Sequence, residues 1–178
     1  MALTLISTHT ASASATLDIT SGIDSTYDSY EFHFVNLHPA TDGVRFQFQV
    51  NAVGQTGFNE VMTTTYVRAL NRENDTFAAL AYETTYDQAQ GTSYQYFSED
   101  VGGGADESVS GILTLYAPSS TTYVKHFTLR SIGYWYADGA NEGHVAGYIN
   151  TTAAIDEISF STTSGNIDDG TIKMFGVS

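Results

Sequence analysis

The sequence predicts an all-β chain: an antiparallel β-sandwich, jelly-roll-like, of about eight or nine strands. Three observations carry that expectation. Apolar residues recur with period two over most of the chain. Turn-forming clusters interrupt them at regular intervals. No stretch combines a helix start, a 3.6-residue apolar face and a helix stop.

The elements follow in order. "MALTLISTHTASASATLDIT" contains "ASASA", which imitates a cleavage site. It has no Lys or Arg, and its apolar run Ala2-Leu3-Thr4-Leu5-Ile6 is short and interrupted, so it does not read as a secretion signal. Residues 1–16 instead read as an N-terminal arm or a first strand. Tyr30, Phe32 and Phe34 alternate with Glu31 and His33. Phe46, Phe48 and Val50 alternate with Gln47 and Gln49. Each set predicts a half-buried strand, aromatic side inward and polar side outward. "NLHPATDG" between them holds Pro39 and Asp42-Gly43, so residues 30–50 read as a hairpin.

"VMTTTYVRAL" (61–70) is β-branched and reads as a strand, "NREND" (71–75) as a turn, and "TFAALAYETTY" (76–86) as a returning strand with a helical alternative over "FAALAY". "TSYQYFSED" (92–100) admits a helical turn over the end of the sandwich. "VGGGADES" (101–108) reads as a flexible loop. Strands are expected over 109–118, 121–136 and 145–152, with "ADGANEGH" (137–144) as a glycine-broken loop. The chain then closes with "IDEISFSTTSGNIDDGTIKMFGV" (155–177), read as a second hairpin. In its last strand Ile172 and Met174 share one face while Phe175 and Val177 share the other. Apolar groups on both sides call for a cover on both sides. The cover is either the chain's own loops or a second subunit. No linker and no repeat divides the 178 residues, so one domain is expected.

Composition limits function. With 20 Asp and Glu against 6 Lys and Arg, the chain carries −14 at pH 7. Nucleic acid and anionic lipid require a basic surface, so neither is an expected partner. No run approaches the roughly 20 apolar residues of a membrane-spanning helix. There is no cysteine, which removes disulfides, thiolate catalysis and cysteine zinc sites together.

Candidate chemistry is sparse. The five histidines form neither H-x-H nor H-E-x-x-H, and no nucleophile elbow G-x-S-x-G is present. Carboxylates next to glycine at Asp100, Asp106, Asp168 and Asp169 supply hard oxygen ligands, so calcium is the one ion with candidate ligands, and no other cofactor is expected. The alternative for these residues is a solvated acidic loop. "YWYADGANEGH" sets Tyr134, Trp135 and Tyr136 beside Asp138 and Asn141. Aromatic platforms next to polar groups stack sugars. The alternative is a Trp in the core and tyrosines at a subunit contact. Tyr134 and Tyr136 are expected on one side of the strand and Trp135 on the other.

The ending Ile155-x-x-Ile158-x-Phe160, Ser164-Gly165-Asn166, Gly170-Thr171-Ile172 and Phe175-Gly176 resembles the closing segment of a large group of tailed-phage virion proteins common in phages of marine bacteria. The likeness extends to "YDSYEFHFVNLHPATDGVRFQFQV" and "SGILTLYAPSSTTYVKHF", and so from about Ser21 to Val177. It implies a jelly-roll-like structural domain on the virus particle, often trimeric, and fixes neither head nor tail. The expectation is therefore a non-enzymatic virion protein. It would be an oligomeric, trimeric capsid decoration or a fibre component, touching major capsid or fibre proteins, with Phe175 and Val177 at the interface. The competing expectation is a carbohydrate-binding module on a fibre or tail that recognises a host surface glycan. A glycan-cleaving enzyme is the third.

Overall fold

Period-two alternation gives a strand one apolar side, and two sheets must hide those sides against each other. The computed structural model, which describes residues 2–178, meets this demand with thirteen strands. They are β1 Leu3–Thr10, β2 Thr16–Ile19, β3 Ser29–Pro39, β4 Phe46–Ala52, β5 Met62–Arg72, β6 Ala78–Tyr82, β7 Ala89–Gly91, β8 Gln95–Tyr96, β9 Val109–Tyr116, β10 Lys125–Trp135, β11 Gly139–Ile149, β12 Ile155–Thr162 and β13 Ile167–Val177. A large sheet runs β1-β13-β3-β9-β10-β11-β5-β6, with β7 also on β5. A small sheet runs β2-β12-β4-β8. All named pairs are antiparallel, and the chain is an all-β sandwich.

The pairing is nested. β1 pairs β13, β2 pairs β12, β3 pairs β9 and β4 pairs β8. The chain is a long antiparallel ribbon rolled so that successive pairs fall in alternate sheets, which is the jelly-roll arrangement. Two excursions leave the ribbon. β5, β6 and β7 lie between β4 and β8 in sequence, and β10 and β11 lie between β9 and β12. Both excursions add to the large sheet beyond β9, so that it outgrows its partner.

Several expectations are corrected here. There are thirteen strands where about eight or nine are expected, because short strands such as β7 and β8 leave almost no periodic trace. Residues 30–50 and 155–177 are not hairpins. β3 and β13 belong to the large sheet, β4 and β12 to the small one, and each connection arches across the core. Alternation records which side of a strand is buried, not which strand lies beside it, and an arch buries the same sides as a hairpin. Residues 92–100 contain β8 and extended chain, and no helix occurs among the described residues. The glycine-broken loop expected over 137–144 is mostly β11. A Cβ at Gly139 would lie 2.8 Å from the Asn71 carbonyl oxygen, so this glycine permits close strand packing. Gln49, expected outward, is fully buried. Its amide donates to the carbonyls of Glu60, Thr92 and Ser93 in segments that cover the outer side of β4.

The N-terminal segment is built into both sheets. β1 pairs the last strand with a bulge between Leu5 and Ser7, and β2 sits at the edge of the small sheet. The core between the sheets is aromatic: Phe32, Phe34, Phe46, Phe48, Phe97, Phe127 and Phe160 are all buried.

Candidate functional site

The aromatic cluster at 134–141 is split by the fold. Tyr134 projects from the outer face of the large sheet, where its hydroxyl donates to Asp138 at 3.2 Å. Desolvation first, then that hydrogen bond, pushes its phenol up to about 12. Trp135 ends β10 on the opposite side. Arg72 lies over its ring at 4.9 Å and Tyr136 meets it edge-on at 5.1 Å. Tyr136 stands in the turn beyond the strand, so it does not share a face with Tyr134. Asn141 is buried and donates to the Glu99 carbonyl and carboxylate at 3.2 and 3.3 Å. These five residues do not form one platform.

The acidic candidates also disperse. Asp100 is paired with Arg45 at 2.9 Å. Asp169 accepts from the Gly170 amide at 2.6 Å. Asp106 and Asp169 share a polar hollow of about 330 Å³ with Asn36 and His38, while Asp168 is exposed outside it. Among the described residues no three His, Cys, Asp or Glu side chains are grouped to hold a metal ion. Phe175 lies half-buried on the outer face of the large sheet, its ring 4.7 Å from His33. Val177 is already buried by the chain itself.

Two features were not singled out from the sequence. The first is a hollow of about 320 Å³ lined by Thr85, Tyr86, Asp87, Gln88, Ala89, Gly91, Ser93, Tyr94 and Tyr96. Tyr86 and Tyr96 meet edge-on at 5.6 Å, and the Arg45 guanidinium lies 4.8 and 5.7 Å from the two rings. Burial, then the nearby Glu99 charge, pushes the Tyr86 phenol up to about 12. It therefore stays protonated at neutral pH and donates to Glu99 at 3.4 Å. Tyr94 donates to the Ser159 hydroxyl at 3.2 Å. Behind the hollow, fully buried Gln95 donates to the Tyr86 and Tyr96 carbonyls at 2.9 and 2.8 Å and accepts from Thr64 at 2.7 Å. The signal in the sequence was the spacing of Tyr86, Tyr94 and Tyr96 around Asp87 and Gln88, hidden because the segment has no period.

The second feature is the outer face of the large sheet, which among the described residues no segment covers from β9 to β6. Among the described residues twelve large apolar side chains are exposed, and eight of them stand here: Leu3, Leu5, Val35, Leu80, Tyr82, Ile112, Tyr116 and Ile132. Glu31, Glu142, Arg130 and Lys173 are its charged residues from β3 to β6 and along β13 past Gly170. Two acids offset two bases within these strands, and Glu73, Asp87 and Asp138 stand at the rim, beside Tyr82 and Tyr134. His33, His126 and His144 share this face, the first hydrogen-bonded to Glu31 at 2.7 Å and the last to Glu142 at 2.9 Å.

No family model, curated protein or solved structure matches this chain. The likeness to tailed-phage virion proteins therefore stands on the residues quoted for it.

Proposed function

We propose that the chain is a non-enzymatic structural subunit of a tailed-phage particle, a capsid decoration or fibre component that works as a homo-oligomer, a trimer in the form the resemblance implies. The observation that carries this reading is the bare outer face of the large sheet. Exposed apolar side chains on one continuous face mark a contact surface. Eight strands at about 4.8 Å spacing span roughly 34 Å, and the shared strand length is roughly 20–35 Å. The face therefore offers on the order of 700–1,200 Å², which brackets the ~800 Å² per partner of a stable interface.

The occupant is another copy of this chain. At −14, copies repel one another over most of their surfaces. The outer face is the charge-balanced exception, and Arg130 paired with Glu142 shows both signs present on it. Rolled jelly rolls serve in virus coats, which agrees with the resemblance, and Phe175, half-buried on this face, is the interface residue this reading retains. Major capsid or fibre proteins are the remaining partners, and the virion is the place.

The test is mass in solution by light scattering. The native chain should be an oligomer. Ile112→Glu with Ile132→Glu should give a monomer with an unchanged β-sheet circular dichroism spectrum. A native monomer at high protein concentration would remove the oligomer, and absence of the protein from purified particles would remove the virion role.

A second reading is favoured by a separate observation, the tyrosine-walled hollow. In that reading the chain is a carbohydrate-binding module on a fibre or tail. Jelly-roll sandwiches also serve as lectins, and both readings hold together for a subunit at a fibre tip.

A further inference from the structure

We propose that the hollow walled by Tyr86, Tyr94 and Tyr96 binds a neutral saccharide. The proposal rests on the carbohydrate-binding reading and gives that reading its place, away from the Tyr134–Tyr136 segment.

Size comes first. About 320 Å³ lies at the lower end of the range of roughly 300–1,000 Å³ typical of small-molecule sites.

The chemistry of the lining comes second. A sugar ring has an apolar C–H face and a rim of hydroxyls. Tyrosine rings offer flat faces for the first. Thr85, Asp87, Gln88 and Ser93 offer donors and acceptors for the second. One Asp87 oxygen accepts from the Tyr82 hydroxyl at 2.6 Å, which fixes the carboxylate and leaves its other oxygen as an acceptor. The Gln88 amide already donates to the Ser93 carbonyl at 2.9 Å while its oxygen has no partner, so an apolar ligand would leave that oxygen and the free Asp87 oxygen unpaired, at a cost.

Rigidity comes third. The segment from 83 to 96 holds only the three-residue β7 and the two-residue β8, and such a stretch is ordinarily mobile. Here two buried glutamines clamp it. Gln95 holds the carbonyls of Tyr86 and Tyr96, and Gln49 holds those of Thr92 and Ser93 at 3.2 and 3.1 Å. Walls fixed before binding cost less to order when a ligand arrives.

Charge decides the class of saccharide. Arg45, the cation beside the rings, is already paired with Asp100 at 2.9 Å. The chain as a whole repels sulfated, phosphorylated and uronic sugars.

The experiment is a calorimetric or NMR titration of the intact native chain. The probes are short oligosaccharides of glucose, mannose, galactose and N-acetylglucosamine, with sulfated and uronic oligosaccharides alongside. At least one neutral probe should bind, and Asp87→Ala and Tyr94→Ala should each weaken it by about tenfold or more. Tyr136→Ala should leave it unchanged. Circular dichroism checks that each variant is folded, and Asp87→Ala keeps the test open if Tyr94→Ala is not. Binding that survives both hollow variants and disappears with Tyr136→Ala overturns the site and leaves the carbohydrate reading standing. Tighter binding of the charged probes overturns the neutral class. No binding of any probe to the native chain, at millimolar concentration, overturns site and reading together.

Discussion

Phe160→Ala tests whether the ribbon and its excursions form one core. Phe160 is fully buried on β12, in the middle of the small sheet. Its ring lies 5.9 Å from Phe32 and 5.4 Å from Phe34 of the large sheet. It lies 6.4 Å from Phe48 on β4 and 6.4 Å from Phe97, just past β8. Truncating a buried Phe costs about 3–5 kcal/mol through lost burial and the cavity left behind. Aromatic pairs add about 0.5–1.5 kcal/mol each, but pairs sharing one ring do not add independently. The expected loss is therefore about 4–5 kcal/mol. Domains hold about 5–15 kcal/mol in total, so about a quarter or more of the stability goes. At about 2–4 °C per kcal/mol, Tm falls by about 8–20 °C.

The assay is urea unfolding followed by two signals, far-ultraviolet circular dichroism and tryptophan fluorescence. The chain has a single tryptophan, Trp135, which sits at the end of the excursion strand β10. If one core holds everything, both signals shift to the same lower midpoint with the slope unchanged. A loss under about 1 kcal/mol would refute the hub role assigned to Phe160. A tryptophan transition that stays in place while the dichroism moves would show that the excursions fold apart from the ribbon. Phe175→Ala, on the bare face, is the control and should cost the isolated chain under about 1 kcal/mol.

Two further predictions concern charged and titrating groups. Glu99 is 8% exposed and accepts from Arg68 through both oxygens, at 2.6 and 2.5 Å. Glu99→Gln should cost about 3 kcal/mol, the lower end for a broken buried pair, because Glu83 stays 2.6 Å from Arg68; an unchanged urea midpoint would contradict it. His9 on the edge strand β1 is held below its ordinary 6.5 by burial. The folded chain resists a proton that the unfolded chain accepts, so this residue is neutral in its effect above pH 6.5 and lowers stability as pH falls below it. His9→Asn should flatten the stability profile below pH 6.5, and an unaltered slope there would show that β1 does not bury the imidazole.

What the sequence made legible was the inward set of the ribbon. Tyr30, Phe32 and Phe34 and then Phe46, Phe48 and Val50 are all buried, as their period demands. What it hid were relations between strands. Arch and hairpin share one pattern, so β3–β4 and β12–β13 were assigned the wrong neighbours. Gln49 misled for a different reason. A polar residue opposite an aromatic one reads as solvated, yet Gln49 is fully buried, as is Gln95, and both hold loops by their amides. The loops they hold cover the outer side of β4 and build the tyrosine hollow, and no periodic signal marks a residue whose partner is an irregular backbone.

That misreading bears directly on function. The outer side of β4 in the small sheet is covered by residues 55–60 and 92–93, and Gln49 and Asn51 are sunk there to fasten the cover. The large sheet, with more than twice as many strands, receives no such cover. Its outer positions carry Ile112 at 42% and Ile132 at 51% exposure, between Thr114, Thr128 and Ala146. If solvent were the permanent neighbour of this face, the acids that crowd the rest of the chain would serve there as well as elsewhere. Within the strands themselves only Glu31 and Glu142 are acidic, with Glu73, Asp87 and Asp138 at the rim, and this local balance supports the proposed contact with a like-charged copy. The contrast between a fastened cover over β4 and a bare surface over β9, β10 and β11 is the physical basis for the subunit contact proposed there.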